Sequence, residues 1–329
     1  MASRALLIGI DTYPDPRNNL NSCVADTLAF RQMLLGTYKF RSDQIRLLHN
    51  RDATKSNVLG ELQWLLTGAQ DGDRLVFFDS SHGYRYPDGD TMVEVLCLYD
   101  QFLADTEFVA ITASAPSRAL TAVLDCCHAG GMNKFFFPQG NVEVARAKVW
   151  RPAAAEEEIN LQLYAQVTKF KFFGQAATSD SGAVAKNFQM NPVGIPAPKD
   201  ASEGGSEFNG AIFAACQADQ TAAAGSASTK NLSAFTFALL EELDSTLPLS
   251  DLRTRVADRL NALNMSQEPR AIAPTLHQEL LTEAFLAGVD SDHGSTSSTS
   301  PAADTFDPFE YLRSQLGDLF KQSQSKKES

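Results

Sequence analysis

Two short motifs, each directly after an apolar run, carry the side chains best suited to chemistry. Residues 79–83 read D-S-S-H-G and residues 125–131 read D-C-C-H-A-G-G. The preceding runs are rich in Val, Phe and Leu, which is typical of strands buried on both faces of a parallel sheet. In open α/β sheets the reactive crevice lies outside the carboxyl ends of the strands. We therefore expect the Cys127 thiol and the His82 imidazole to meet there as a nucleophile and its base.

The alternation of side chains along extended backbone places further groups beside this pair. Ser80 should point the same way as His82, and Asp125 the same way as Cys127. Cys126 should point to the opposite face, where we interpret it as a small apolar core residue.

Plainer interpretations of the same cysteines and histidines stay open. Cys127 could be a buried structural thiol, since free cysteines are commonly buried. Cys126, Cys127, His128 and His82 could instead bind zinc, although the cluster lacks the usual two-residue spacing between ligands. We otherwise assign His128 a supporting hydrogen bond rather than the role of base.

Composition limits the kind of protein and its partners. The chain has 329 residues, 43% of them hydrophobic, and a net charge of −12, which argues against nucleic-acid binding. Five irregularly spaced cysteines do not form a disulfide framework and indicate a reducing compartment. No run approaches the roughly 18 apolar residues of a membrane helix, and the first apolar run is too short for a signal peptide. We predict a cytoplasmic protein that binds neither membranes nor nucleic acid.

The order of predicted elements indicates an α/β sandwich with a mostly parallel central sheet. Apolar runs and helical periodicity alternate along the chain, which implies crossover connections with helices on both faces of the sheet. Thr54 and Asp52 are candidate N-caps. We predict strands at 4–10, 44–48, 73–78, 119–124, 171–176 and 211–216, a hairpin arm at 94–98, and helices at 20–35, after Thr54, and at 106–113, 235–243 and 249–263.

These motifs resemble those of the caspase-like cysteine peptidases (clan CD, family C14), most closely the type I metacaspases and bacterial orthocaspases. Those families carry Y-S-G-H-G and D-S-C-H-S-G. Here the histidine precedes the cysteine by about 45 residues, against about 50 in caspases. The resemblance runs from residue 4 to about 288 and includes A-A-C-Q-A-D-Q-T-A at 214–222. This chain departs from the family pattern at Asp79, Ser81, Cys126 and Ala129, and none of these changes removes the Cys–His pair.

The resemblance implies a catalytic mechanism and a specificity. Cys127 would be the nucleophile and His82 the general base, with the N–H groups of Gly83 and Cys127 forming the oxyanion hole. The family's S1 pocket positions are occupied here by Cys23, Asp26, Ser80 and Asp125. Such an acidic pocket implies cleavage of protein substrates after Arg or Lys, because carboxylates bind these cations.

Two alternatives to this specificity stay open. One is a catalytically inactive caspase-like scaffold that only binds partners. The other is a peptidase that cuts after Asp, which would need a basic pocket.

The resemblance also implies an organisation into parts. Residues 1–132 would form a large-subunit-like (p20) half, 133–158 a linker, and 159–288 a small-subunit-like (p10) half. A Ser/Thr-rich linker and an amphipathic stretch at 289–329 would either dock on the core or bind a partner protein. We expect a monomer. If the enzyme prefers basic residues, the linker would be its own substrate, with candidate self-cleavage sites at Lys134, Arg146, Lys148 and Arg151.

Two expectations concern cations. The resemblance suggests calcium, for which Asp88, Asp90, Asp105 and Glu107 are the candidate ligands, while a solvated acidic loop is the alternative. No organic cofactor is implied. Asp79 lies three residues before His82, and we expect it to raise the pKa of the imidazole or to bind a cation.

Overall fold

A computed structural model describes residues 2–88, 91–127, 145–153, 171–172, 175–176, 207–217 and 220–287. A six-stranded sheet, with the order β11-β10-β7-β3-β1-β2, forms its centre, and β4-β5-β6 and β8-β9 form two smaller sheets. The strands are β1 Ser3–Gly9, β2 Ile45–His49, β3 Arg74–Ser80, β4 His82–Asp88, β5 Thr91–Cys97, β6 Phe102–Ala104, β7 Leu120–Asp125, β8 Lys171–Phe172, β9 Gln175–Ala176, β10 Ala211–Ala214 and β11 Arg270–Ile272.

The described helices agree with the predicted periodicity within a few residues. Thr54 caps the second helix by accepting a hydrogen bond from the Asn57 backbone N–H at 3.3 Å, as its position predicts. None of the helices in the described ranges has the length and apolar character that a membrane crossing requires. The α-helices are α1 Cys23–Gly36, α2 Lys55–Leu66, α3 Asp105–Thr112, α4 Ala234–Glu242 and α5 Leu249–Ala262, and short 3₁₀ helices lie at Pro16–Asn18, Ser42–Gln44, Asn50–Asp52, Ala227–Thr229 and Gln278–Leu281.

The central sheet is parallel except at one edge. Strand β1 pairs in parallel with β2 and β3, β7 pairs in parallel with β3 and β10, and only β11 is antiparallel. The mostly parallel α/β sandwich is therefore confirmed, whereas the three-residue strand β11 was too short to predict. The predicted hairpin arm at 94–98 overlaps the carboxyl-terminal part of β5, which ends at Cys97. The single strand expected at 171–176 is wrong, because this stretch forms two separate two-residue strands, β8 and β9.

Both faces of the sheet are covered, which explains the continuous apolar runs of its strands. On one face Phe78 stacks on Phe30 of α1, with ring centroids 4.4 Å apart. On the other face Phe77 contacts Phe108 of α3, with centroids 4.7 Å apart. Helices α1, α4 and α5 contribute to the first core, and α2 and α3 contribute to the second.

Strand register brings the two motifs to one edge of the sheet. Strands β3 and β7 are neighbours, and Ser80 lies opposite Asp125 at their carboxyl ends. His82 and Cys127 each follow two residues later, so the chain leaves the sheet at the same edge on both strands. Gly83 lies directly against the second motif, because an added Cβ there would be 1.6 Å from the Cys127 carbonyl oxygen. Only glycine allows this approach.

Candidate active site

His82 begins β4 and has a defined orientation. Its Nε2 atom lies 2.7 Å from the Asn18 carbonyl oxygen, which can only accept a hydrogen bond, so Nε2 carries a proton. Burial lowers the pKa of His82 to about 4, and the nearby backbone of Asn18 and Lys148 only partly offsets this shift. The imidazole is therefore neutral at physiological pH, and its lone pair is on Nδ1. Nδ1 is buried without a hydrogen-bond partner among the described residues.

The thiol of Cys127 is buried beside the chain at Ala222. The Ala222 backbone N–H donates to Sγ at 2.8 Å, and its carbonyl oxygen lies 3.5 Å from Sγ. Burial, reinforced by Cys216, raises the pKa of Cys127 well above its usual value. Within the described part of the chain no hydrogen bond joins Cys127 to His82, and burial favours the neutral form of both groups.

Residues 145–150 cross the site in extended conformation, and their amino-terminal part pairs with the chain at 222–224. The Lys148 N–H donates to the Ala222 carbonyl at 2.9 Å, and the Arg146 carbonyl accepts from the Ala224 N–H at 2.7 Å. An isolated antiparallel bridge joins Ala147 and Ala223. The segment thus binds as an added strand, in the way that extended peptides bind to a sheet edge.

The carboxyl-terminal part of this segment pairs with Gly83. The Gly83 N–H donates to the Lys148 carbonyl at 3.1 Å, and the Trp150 N–H donates to the Gly83 carbonyl at 3.3 Å. The carbonyl between Lys148 and Val149 is therefore already polarised by one of the two predicted oxyanion-hole donors.

The Lys148 side chain fills the pocket predicted from Cys23, Asp26, Ser80 and Asp125. Its Nζ atom lies 2.9 Å from Ser80 Oγ, 2.8 Å from the Asp125 carbonyl oxygen and 3.5 Å from Asp26 Oδ2. Its distance to Asp125 Oδ1 is 2.8 Å. Cys23 borders the same pocket, because both the Lys148 charge and Ser80 influence the pKa of its thiol, which burial raises. The structure therefore brings all four predicted residues together around one buried ammonium group.

Two hydroxyl residues at the start of α4 that sequence reasoning missed, the N-cap residue Ser233 and Thr236 within the helix, hold the carboxylates in place. The Ser233 N–H donates to Asp26 Oδ1 at 2.8 Å, and the Ser233 hydroxyl donates to Asp26 Oδ2 at 2.5 Å. Thr236 donates its N–H and hydroxyl to Asp125 Oδ2 at 3.2 and 2.6 Å. The only local signal is the presence of two hydroxyl residues at the start of an otherwise apolar helix, where free N–H groups favour anions.

The pocket contains two carboxyl groups and one ammonium group, and all three are deeply buried. Asp26, Asp125 and Lys148 are all fully buried. Burial and the neighbouring Asp125 raise the pKa of Asp26 to about 7, while Lys148 and the hydroxyl donors oppose this shift. The carboxylates in turn raise the pKa of Lys148 against its own desolvation. Two carboxyl groups without the lysine would repel each other, so the pocket favours a cation.

Asp79 does not act on His82 as expected. Its carboxylate accepts a hydrogen bond from Ser81 Oγ at 2.7 Å, and burial raises its pKa to about 7. It is not among the groups that shift the pKa of His82, which is lowered rather than raised. The expectation that Asp79 raises this pKa is wrong. Cys126 lies in the core of the opposite sheet face from Cys127, as predicted.

Two of the candidate metal ligands, Asp105 and Glu107, have hydrogen-bond or ion-pair partners in the described part of the chain. Asp105 Oδ1 accepts from the Thr106 N–H at 2.7 Å, and Glu107 forms a 2.8 Å ion pair with Lys55. These two residues do not fit a calcium site as they stand. Across the described ranges, no group of three or more His, Cys, Asp or Glu side chains could hold a metal ion. Lys134, His128, Asp90 and the side chain of Asp88 lie outside the described residues.

Comparisons with known proteins agree with this arrangement. A family model described as the caspase domain (peptidase C14) matches residues 2–285. Metacaspase-8 of Arabidopsis thaliana is 32% identical over 146 residues, 40% of this chain and 38% of the relative. Metacaspase-1 of Schizosaccharomyces pombe is 30% identical over 145 residues, 39% of this chain and 34% of the relative. The match thus spans well under half the length of these relatives.

A solved structure extends the comparison of the fold. The protein GSU0716 from Geobacter sulfurreducens aligns with a TM-score of 0.57 at 17% identity, covering 86% of this chain and 97% of that one. At this identity the likeness concerns the fold alone.

Proposed function

Because the chain belongs to the caspase-domain family of peptidases, we propose that it is a cysteine endopeptidase that cleaves after Lys or Arg. One observation carries the specificity: the ammonium group of Lys148 lies between Asp26, Ser80 and Asp125, while the Lys148 carbonyl accepts from Gly83. A lysine of the chain itself thus lies where we propose that the lysine of a substrate binds. Arg would suit the same carboxylates, because its guanidinium offers more donors to paired oxygens.

The proposed reaction uses the two predicted catalytic residues. His82 Nδ1 would take the proton of the Cys127 thiol, and the thiolate would attack the substrate carbonyl carbon. The N–H groups of Gly83 and Cys127 would stabilise the oxyanion. His82 would then protonate the leaving amine, and water would hydrolyse the thioester. Before attack, the thiol must turn from Ala222 towards the substrate carbonyl.

The same geometry supports self-processing at the bond between Lys148 and Val149. Of the candidate basic residues, Arg146 and Arg151 are exposed outside the pocket, whereas Lys148 is inside it. Until that bond is cut, residues 145–150 occupy the cleft and exclude other substrates. We therefore infer an enzyme that first processes its own linker and then acts on basic sites in other proteins.

Two competing functions are distinguishable from this one. An inactive scaffold is favoured by the Cys127 thiol, which is hydrogen-bonded to Ala222 and not to His82 in the described part. Cleavage after Asp is disfavoured, because a third carboxylate would enter a pocket that already holds two.

Fluorogenic peptides ending in Arg, Lys or Asp, with and without calcium, test the three functions together. We expect hydrolysis of the Arg and Lys peptides only, and its loss in Cys127→Ala and His82→Ala. If only the Asp peptide is hydrolysed, the proposed preference for Lys and Arg is wrong and the enzyme cuts after Asp. If no peptide is hydrolysed in either condition, the scaffold becomes the better account. The calcium arm shows whether the ion is needed.

Intact-mass measurement of the purified protein tests self-processing. We expect fragments that separate between Lys148 and Val149 in the wild type, and an uncut chain in Cys127→Ala. Lys148→Arg should still be cut at this bond, whereas Lys148→Gln should not. Arg151→Gln is the matched control, because this exposed side chain lies outside the pocket. Cleavage at the same place in Cys127→Ala would indicate a contaminating protease.

A further inference from the structure

Trp150, two residues after the bond proposed to be cut, packs in an aromatic pocket on the leaving-group side of the cleft. Its ring contacts Tyr13 and Phe102 edge-on, with centroids 5.3 and 5.6 Å apart. It also lies 6.1 Å from the His82 ring at an interplanar angle of 83°. Edge-to-face geometry at these distances is the favourable arrangement for aromatic pairs. We propose that this is a substrate subsite, which selects an aromatic side chain at the second position after the cleaved bond.

The backbone around Trp150 is held independently of its side chain. The Trp150 N–H donates to the Gly83 carbonyl at 3.3 Å. The next residue, Arg151, donates its N–H to Asn18 Oδ1 at 2.8 Å, and its carbonyl accepts from Asn18 Nδ2 at 3.2 Å. Asn18 is itself 1% exposed. Any peptide could make these main-chain bonds, so a substrate from another molecule can follow the same path.

The walls of the pocket are fixed by contacts that do not involve the bound segment. The Tyr13 hydroxyl donates to the Cys97 carbonyl at 3.1 Å and accepts from the His82 N–H at 3.1 Å. Phe102 lies in β6, which pairs with β5. The pocket is therefore built by elements that stay in place when residues 145–150 leave the cleft. A pre-formed aromatic pocket binds a ring with little loss of conformational freedom.

Neighbouring side chains of the segment contact different parts of the molecule. Val149 packs against the core that contains Phe30 and Phe235, whereas Trp150 packs against the second core and the cluster around Tyr84. This separation provides a matched control, because Val149 can be shortened without touching the aromatic pocket.

The inference rests on the proposed function, since it concerns a subsite of the same cleft. We would measure kcat/KM for internally quenched peptides with the sequence Ala-Arg-Ala-Lys-Val-Trp-Arg and for versions with Trp or Val replaced by Ala. The enzyme would be Trp150→Ala after it has cut its own Lys148–Val149 bond, so that its segment no longer spans the cleft and offers no indole to the pocket. We expect replacement of Trp to lower kcat/KM by about tenfold, from the loss of aromatic contacts. Replacement of Val should have a clearly smaller effect.

A second variant and a second enzyme separate a failure of the subsite from a failure of the proposed function. Phe102→Leu, made in the same enzyme, should reduce the ratio of kcat/KM between the Trp and Ala peptides, whatever its effect on overall rate. If Trp150→Ala does not fold or does not process itself, the processed wild type is assayed with the same peptides. Cleavage after Lys with equal kcat/KM for the Trp and Ala peptides would overturn the subsite and leave the proposed function intact. No cleavage of any Lys peptide would overturn the proposed function itself.

Discussion

The ammonium nitrogen of Lys148 lies 2.8 Å from the Asp125 carboxylate, and neither side chain is exposed to solvent. Breaking a buried ion pair by removing one partner is costly, because the remaining charge stays in a medium that solvates it poorly. Here the partner of the carboxylates comes from a segment about twenty residues further along the chain than Asp125. The ion pair therefore ties that segment into the cleft as well as filling the pocket.

Replacing Lys148 should destabilise the uncut protein. In a Cys127→Ala background, Lys148→Met leaves Asp26 and Asp125 without their cation, and we expect about 3 kcal/mol lower free energy of unfolding at pH 8. Lys148→Arg should keep most of the stability. Urea denaturation measures the difference, and Arg146→Met, on an exposed side chain, should change it by less than about 0.5 kcal/mol. Equal stability of Lys148→Met and its parent would show that the pair contributes nothing to anchoring the segment.

Removing the Ser233 hydroxyl should weaken binding of basic substrates. Ser233→Ala takes a hydrogen bond from Asp26, which favours its protonated form and raises its pKa further. We expect KM for a Lys peptide to rise about tenfold at pH 7, with a smaller change in kcat, because a hydrogen bond to a charged group contributes about 1.5–3 kcal/mol. Steady-state kinetics of Ser233→Ala checks this. The control is Thr254→Ala, which removes an exposed hydroxyl on α5. A fall in kcat at constant KM would contradict it.

The strands and the two motifs were predictable because their signals are local. Apolar runs mark β3 and β7, and the rule that reactive groups follow parallel strands places His82 and Cys127 at one edge. The acidic pocket came from family resemblance, and the structure gathers those residues around Lys148.

The residues that sequence reasoning missed act across long stretches of chain. Ser233 is more than two hundred positions from Asp26, and Asn18 is more than sixty from His82. No periodicity links such pairs. Similarly, four basic residues of the linker were equivalent in sequence, and only the fold distinguishes Lys148. Local patterns therefore located the candidate pair Cys127 and His82, while the residues that surround it could be identified only from the tertiary structure.

The titration of Asp26 in the pocket should control how KM depends on pH. Burial raises the pKa of Asp26 to about 7, so the carboxyl loses its charge as the pH falls below that value. The pKa of His82 is lowered to about 4, so the base stays neutral over the same interval. We expect KM for Lys peptides to rise from pH 8 to pH 6, while kcat changes little. A pH series of both constants tests this, and an acid limb confined to kcat would point to His82 instead.

Asp79 should make stability depend on pH in a direction opposite to that of a salt-bridged carboxylate. Burial raises its pKa to about 7 from an ordinary 3.8, so the folded protein keeps a proton that the unfolded chain has lost. This contribution is fully present below about pH 4, falls as the pH rises towards 7 and is absent above it.

Asp79→Asn removes that dependence, because an amide stays neutral at every pH. We expect the variant to exceed the wild type in free energy of unfolding at pH 8 by on the order of a few kcal/mol, and to match it near pH 4. Both are compared in the Cys127→Ala background by urea denaturation across this range, with Asp251→Asn as the exposed control. A constant difference between variant and parent at all pH values would show that the Asp79 carboxyl titrates normally in the folded protein.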